Sequence, residues 1–201
     1  MQITHGSILA IFFMASEAEK EEGRDWYPRA NRISISIANS YVLPHLSHTA
    51  AGVLAALSPN NKWDRNVRDA EALIKAFYAG ADPDTIKVST FGKNKKKAVQ
   101  ILKGDHPLNV LGGLKVRAFY QCITGADAVC VDGHAYSIWT GQRVPTTKTP
   151  SISEKLYNKI AEDYRLAATQ ISEITGEQYT AAEVQAITWV VWRNMHAKVA
   201  G

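Results

Sequence analysis

Apolar residues recur every three or four positions through most of this chain, so that almost every stretch reads as α-helix. Val67, Ala70, Leu73, Ile74 and Phe77 form one such face, and Leu156, Ile160, Tyr164, Ala167 and Ile171 form another. That spacing follows the 3.6-residue turn and presents one apolar side to a core. Start signals accompany the faces. Asp82-Pro83 pairs an N-cap with proline at the first helical position. Ser151-x-x-Glu154 and Thr180-x-x-Glu183 each fit a capping box. Arg32 to Ile37 alternates like a strand, but Ala30, Ile33, Ile37 and Tyr41 also share a helical face, and the surroundings favour helix. The expected fold class is all-α. The segment 144–150 carries two prolines and several threonines and reads as a linker. A central helical lobe is expected over 46–143. The two ends, 1–45 and 151–201, are expected to form a second lobe together.

Composition narrows the class. Of 201 residues, 46% are hydrophobic and 21% charged, which excludes a disordered chain. Two cysteines are too few for a disulfide scaffold, a four-cysteine zinc site or a four-cysteine iron–sulfur cluster. No metal and no cofactor are expected. The longest apolar run, Ile8 to Ala15, has eight residues, whereas a membrane span needs about 20. No basic leader precedes that run and an acidic stretch follows it, which argues against a signal peptide. These features predict a soluble, cytoplasmic monomer.

The formal charge of +4 says less than its distribution. Lys87, Lys93, Lys95, Lys96, Lys97 and Lys103 lie in a stretch with no acid between Asp84 and Asp105, while Ile152 to Val184 is mildly anionic. A cationic pole of this kind can track a phosphate backbone by counterion release.

Three short segments stand out. Leu57-Ser58-Pro59-Asn60-Asn61-Lys62-Trp63 ends an apolar helix and opens a charged one. Val110-Leu111-Gly112-Gly113-Leu114-Lys115-Val116 joins two apolar helical segments through a glycine pair, which permits positive φ and close approach of backbone N–H groups to an anion. Lys115 falls in the first turn of the following helix, where a positive charge opposes the dipole. Val129-Cys130-Val131-Asp132-Gly133-His134 runs from apolar residues into an aspartate that reads as an N-cap. Each segment alone reads as a turn or a cap.

Together, in this order and spacing, they resemble the helix–hairpin–helix DNA glycosylase superfamily across roughly residues 46–143. Ser58-Pro59-Asn60-Asn61 is similar to the Ser-x-Asn-Asn corner of the 8-oxoguanine enzymes, Lys115-Val116 to the catalytic lysine and its neighbour, and Val131-Asp132-Gly133-His134 to the Val-Asp-x-His segment. The hairpin, Leu111-Gly112-Gly113, lacks the family's proline and is one residue shorter. The resemblance implies a two-lobed helical bundle acting on DNA, most simply a DNA N-glycosylase with or without lyase activity. A related branch, the amino-acid:DNA transferases of viral thymidine hypermodification, is also similar. A non-catalytic DNA-binding module on the same scaffold is the third alternative.

The resemblance assigns roles. A base must leave the duplex to be reached, with Asn60 and Asn61 as the wedge. Lys62, Arg65, Lys93, Lys95, Lys96, Lys97 and the N–H groups near Gly112 and Gly113 would hold phosphates. Asp132 would steady the oxocarbenium-like sugar. Lys115, made neutral by desolvation, would attack C1′. Tyr120, His134, Tyr136 and Trp139 are the candidate base pocket.

Overall fold

A computed structural model describes residues 5–41, 47–145 and 148–197. Among these residues the chain is all-helical: ten α-helices and short 3₁₀ turns, with no strand. The helices are α1 (Gly6–Phe13), α2 (Glu17–Asn39), α3 (Ser47–Leu57), α4 (Trp63–Tyr78), α5 (Gly92–Leu102), α6 (Pro107–Val110), α7 (Leu114–Ile123), α8 (Gly133–Thr140), α9 (Glu154–Thr175) and α10 (Ala181–Ala197). No helix is long and apolar enough to cross a membrane. The chain divides into two units, one of Met1–Pro28 with Ala126–Gly201 and one of Arg29–Gly125.

The Arg29–Gly125 unit is built around α3. Every residue from Ala50 to Leu57 is buried, as expected of a helix that is apolar all round and enclosed by others. α4, α5, α6 and α7 pack around it. Gly52 permits the approach of α6, because a Cβ there would lie 2.7 Å from Pro107 Cγ. α4 and α5 present opposite faces in the ordinary amphipathic way. Ala70, Leu73 and Ile74 of α4 are buried, as are Ala98, Ile101 and Leu102 of α5. The second half of α2 belongs here too, and Asn31 Nδ2 donates to the Ile123 carbonyl at 2.9 Å.

The other unit packs α1, α8, α9 and α10 together. Ile8, Ile11 and Phe12 of α1 are buried, with Ile160, Tyr164, Ala167 and Ile171 of α9. Tyr157 Oη donates to the Val129 carbonyl at 2.7 Å and accepts from the Val131 N–H at 3.2 Å. That clamp fixes the buried Val129–Val131 approach to α8.

Several expectations are corrected. The unit boundaries fall at 28/29 and 125/126, not at 45/46 and 143/151. The reason lies in long-range contacts: α8 packs on α1 and α10, and Tyr157 draws in Val129. Lys115 and Asp132, expected in one lobe, therefore belong to different units. α9 is capped by Ser153, which accepts from the Leu156 N–H, and not by Ser151. Asp82-Pro83 opens only a three-residue 3₁₀ turn. Of the 144–150 linker, Thr146 and Thr147 lie outside the described residues.

Candidate nucleic-acid interface

The groups expected to hold phosphates sit on three stretches of the Arg29–Gly125 unit: the α3–α4 corner, α5, and the α6–α7 hairpin. At the corner, Asn60 is exposed with φ 58, the only non-glycine positive φ among the described residues. Asparagine tolerates that conformation better than most residues. Asn61 is used differently. Its Nδ2 donates to Asp69 Oδ2 at 2.9 Å, and its Oδ1 accepts from Arg65 Nε at 2.9 Å. Asp69 Oδ2 also accepts from the Ser89 N–H at 2.7 Å, and Thr90 Oγ1 donates to the Pro59 carbonyl at 2.8 Å. The corner is thus pinned to the loop before α5. Of the two wedge candidates, Asn61 is committed to holding the turn and Asn60 faces solvent.

This difference is measurable. Asn60→Gly relieves the positive-φ cost and should leave stability unchanged or raised by up to about 1 kcal/mol. Asn61→Ala strips the Asp69 carboxylate of a partner and should cost about 1–2 kcal/mol. Urea denaturation of the two variants checks the order, and equal losses would refute it.

On α5 the four lysines also part company. Lys93 and Lys96 are exposed. Lys95 Nζ instead donates to the carbonyls of Pro83, Asp84 and Ile86 at 3.2, 3.0 and 3.2 Å, with the Asp84 carboxylate at 3.7 Å. It closes the end of the 3₁₀ turn, so its expected phosphate role is corrected to a structural one. Lys97 Nζ lies at the hairpin: a Cβ on Gly112 would stand 2.9 Å from it. Lys62, at the N-cap of α4, and Arg65 are exposed, although Arg65 is also tied to Asn61.

The hairpin itself runs from α6 through buried Leu111 to exposed Gly112 and Gly113. Gly113 is the N-cap of α7 with φ 81, a conformation that a side chain would strain. The first-turn N–H groups of a helix have no intrahelical acceptor and point outward. Lys115 stands exposed in that turn.

Sequence reasoning missed Phe91. It is 57% exposed, directly follows Thr90 of the pinned loop, and stands at the N-cap of α5 with no side-chain cap. Lys93 Nζ is 5.9 Å from its ring centroid. The available signal was an aromatic at the mouth of a lysine run, where a polar cap would serve the helix better.

The expected base pocket does not form as a set of open rings. Tyr120 is buried, and its hydroxyl lies 3.0 Å from His48 Nδ1. Burial pushes that phenol above its ordinary value. Tyr120 therefore packs in the core and stacks on nothing that enters from outside. Trp139 Nε1 donates to Asp163 Oδ2 at 2.7 Å, where Lys159 Nζ also binds at 3.3 Å. Tyr136 is half-buried with its ring 6.1 Å from that of Trp139. His134 is half-buried in the first turn of α8. Asp132, in the other unit from Lys115, is the N-cap of α8 and accepts the Ala135 N–H at 2.8 Å through Oδ1. The cap takes one carboxylate oxygen and leaves the second.

No curated protein and no solved structure matches this chain. A family model does match, over residues 2–196, and by that match the chain belongs to DUF7178, a family of unknown function.

Proposed function

We propose that this protein binds DNA through the α6–α7 hairpin and acts on an extruded base, as a glycosylase-like enzyme of the helix–hairpin–helix type. The observation that carries the reading is the hairpin: two helices joined by Leu111-Gly112-Gly113, with Gly113 at positive φ, Lys97 beside the turn and Lys115 exposed in the first turn beyond it. Outward N–H groups and the Lys97 ammonium beside them suit a backbone phosphate. Asn60 and Phe91, both exposed and joined through the pinned loop, are suited to fill the gap that an extruded base leaves.

In this reading Lys115 Nζ gives up a proton to solvent and its lone pair attacks C1′. The N-glycosidic bond breaks, its electron pair leaves with the base, and a proton follows to the base. The C1′–O4′ bond then breaks, its electron pair stays on the ring oxygen, and the remaining amine proton passes to that oxygen, which leaves an imine. Borohydride reduces the imine to a stable amine, so the trapped protein–DNA adduct is the test. A panel of duplexes with damaged and modified bases should give an adduct with the native chain, and Lys115→Ala should abolish it. A mass gain on thymine-derived bases with the glycosidic bond intact would point to the transferase branch instead. Salt-sensitive binding with neither product would leave a binding module.

A further inference from the structure

We propose that the Met1–Pro28 and Ala126–Gly201 unit carries a separate binding site for a phosphate group, in the cleft between α8, the segment after it and the end of α10. The cleft has a volume of about 380 Å³ and is lined by His134, Arg143, Trp192, Arg193, Asn194 and His196, among others. None of the described residues that line it is acidic. Neither arginine enters an ion pair among the described residues. Four basic side chains from two helices and a connecting segment therefore share one hollow with no counter-charge among the described residues of its wall.

The second observation is an orphaned atom. His196 Nε2 is buried and, among the described residues, has no hydrogen-bond partner. The Trp192 ring packs edge-on at 4.5 Å and holds the imidazole in place. A buried polar nitrogen without a partner costs free energy, and such costs persist at sites that complete themselves with a ligand. Burial, then Arg143 and then His134, hold His196 below the ordinary histidine value. Arg193 also lines the cleft, and its guanidinium lies 4.4 Å from the Trp189 ring centroid. Asn194 Nδ2 is turned to the Glu19 carboxylate at 3.0 Å. An oxyanion in the cleft would supply the missing acceptor for His196 and the missing counter-charge for Arg143. Phosphate is favoured over a carboxylate. Its tetrahedral oxygens can accept a guanidinium fork and two imidazoles at once, and its double charge answers several cations.

The phosphate could come from a free nucleotide or from a DNA backbone. The full chain is titrated with inorganic phosphate, with thymidine 5′-monophosphate and with a short duplex, and the ring signals of His134 and His196 are followed by NMR. All three probes should be able to report on the same two signals, and inorganic phosphate should raise the midpoint at which His196 titrates. Arg143→Gln, checked for native circular dichroism, should weaken phosphate binding at least about tenfold. Lys115→Ala should leave it unchanged, which separates this site from the hairpin reading. Tighter binding of the mononucleotide than of phosphate assigns the site to free nucleotides. Duplex binding that phosphate displaces from these signals assigns it to the backbone. Unmoved histidine signals with all three probes, or native-like phosphate binding by folded Arg143→Gln, would overturn the proposal.

Discussion

Gly23→Ala should destabilise the protein by about 3 kcal/mol, although alanine is the better helix former by about 1 kcal/mol. Gly23 lies within α2 where it meets α10. A Cβ there would stand 2.5 Å from Ile187 Cα and 2.7 Å from Ile187 N. Those are backbone atoms, so no side-chain rotation can relieve the clash and the helices must separate. Separation would be felt nearby. Tyr27 Oη donates to Gln185 Oε1 at 2.7 Å, and the Trp26 and Trp189 rings stand 5.9 Å apart. Tryptophan fluorescence during urea unfolding reads the loss, because that ring pair sits at the same contact. Gly92→Ala is the matched control: it opens α5, and its Cβ would meet nothing within 4 Å. It should be neutral or gain up to about 1 kcal/mol. Equal stability of the two variants would show that the α2–α10 approach is not set by this glycine.

Such pairs show what a linear sequence carries and what it does not. The periodic faces of α4 and α9 were legible because the 3.6-residue spacing is a local property: Ala70, Leu73 and Ile74 of the one and Ile160, Tyr164, Ala167 and Ile171 of the other are buried, while Val67, Phe77 and Leu156 at their edges are half-buried. The Thr180–Glu183 capping box was legible too. Glu183 Oε2 accepts from the Thr180 N–H at 2.8 Å and Thr180 Oγ1 accepts from the Glu183 N–H at 3.2 Å. The same reciprocal pair closes at Ser16 and Glu19, where the apolar run that precedes it is the stronger local signal. Ser151 and Ser153 offer alike side chains two residues apart. Which one caps α9 depends on where its buried face begins, and this is fixed by packing. The unit boundaries were illegible for a stronger reason. The link that takes Val129 away from α7 is a hydrogen bond to Tyr157, 28 residues on. At the interface, residue type was readable and assignment was not. Asn60 and Asn61 differ in φ and in partners, and neither property is written in the letters Asn-Asn. Phe91 was lost because an exposed aromatic and a core aromatic are the same residue until burial is known.

The lysines of α5 put that distinction to its hardest trial. Changing Lys93, Lys96 and Lys97 together to Gln should flatten the dependence of DNA affinity on salt. Each phosphate contact contributes about 0.9 to the slope of log affinity against log salt on duplex DNA, so three contacts amount to about 2.7. Between 50 and 200 mM salt the native chain should therefore lose roughly 40-fold more affinity than the triple variant. Lys95→Gln should behave in the opposite way. Its ammonium already serves three carbonyls and the Asp84 carboxylate, so it is not available to a phosphate. That substitution should leave the slope alone and lower stability by about 1–3 kcal/mol, because the carbonyls at the end of the 3₁₀ turn lose their donor. Fluorescence anisotropy of a labelled duplex at stepped salt gives the slopes, and urea unfolding gives the stabilities. A slope that Lys95→Gln lowers as much as any one of its neighbours would mean that the four lysines act as an undivided cationic surface. An unchanged slope in the triple variant would remove α5 from the interface and leave the hairpin to bind alone.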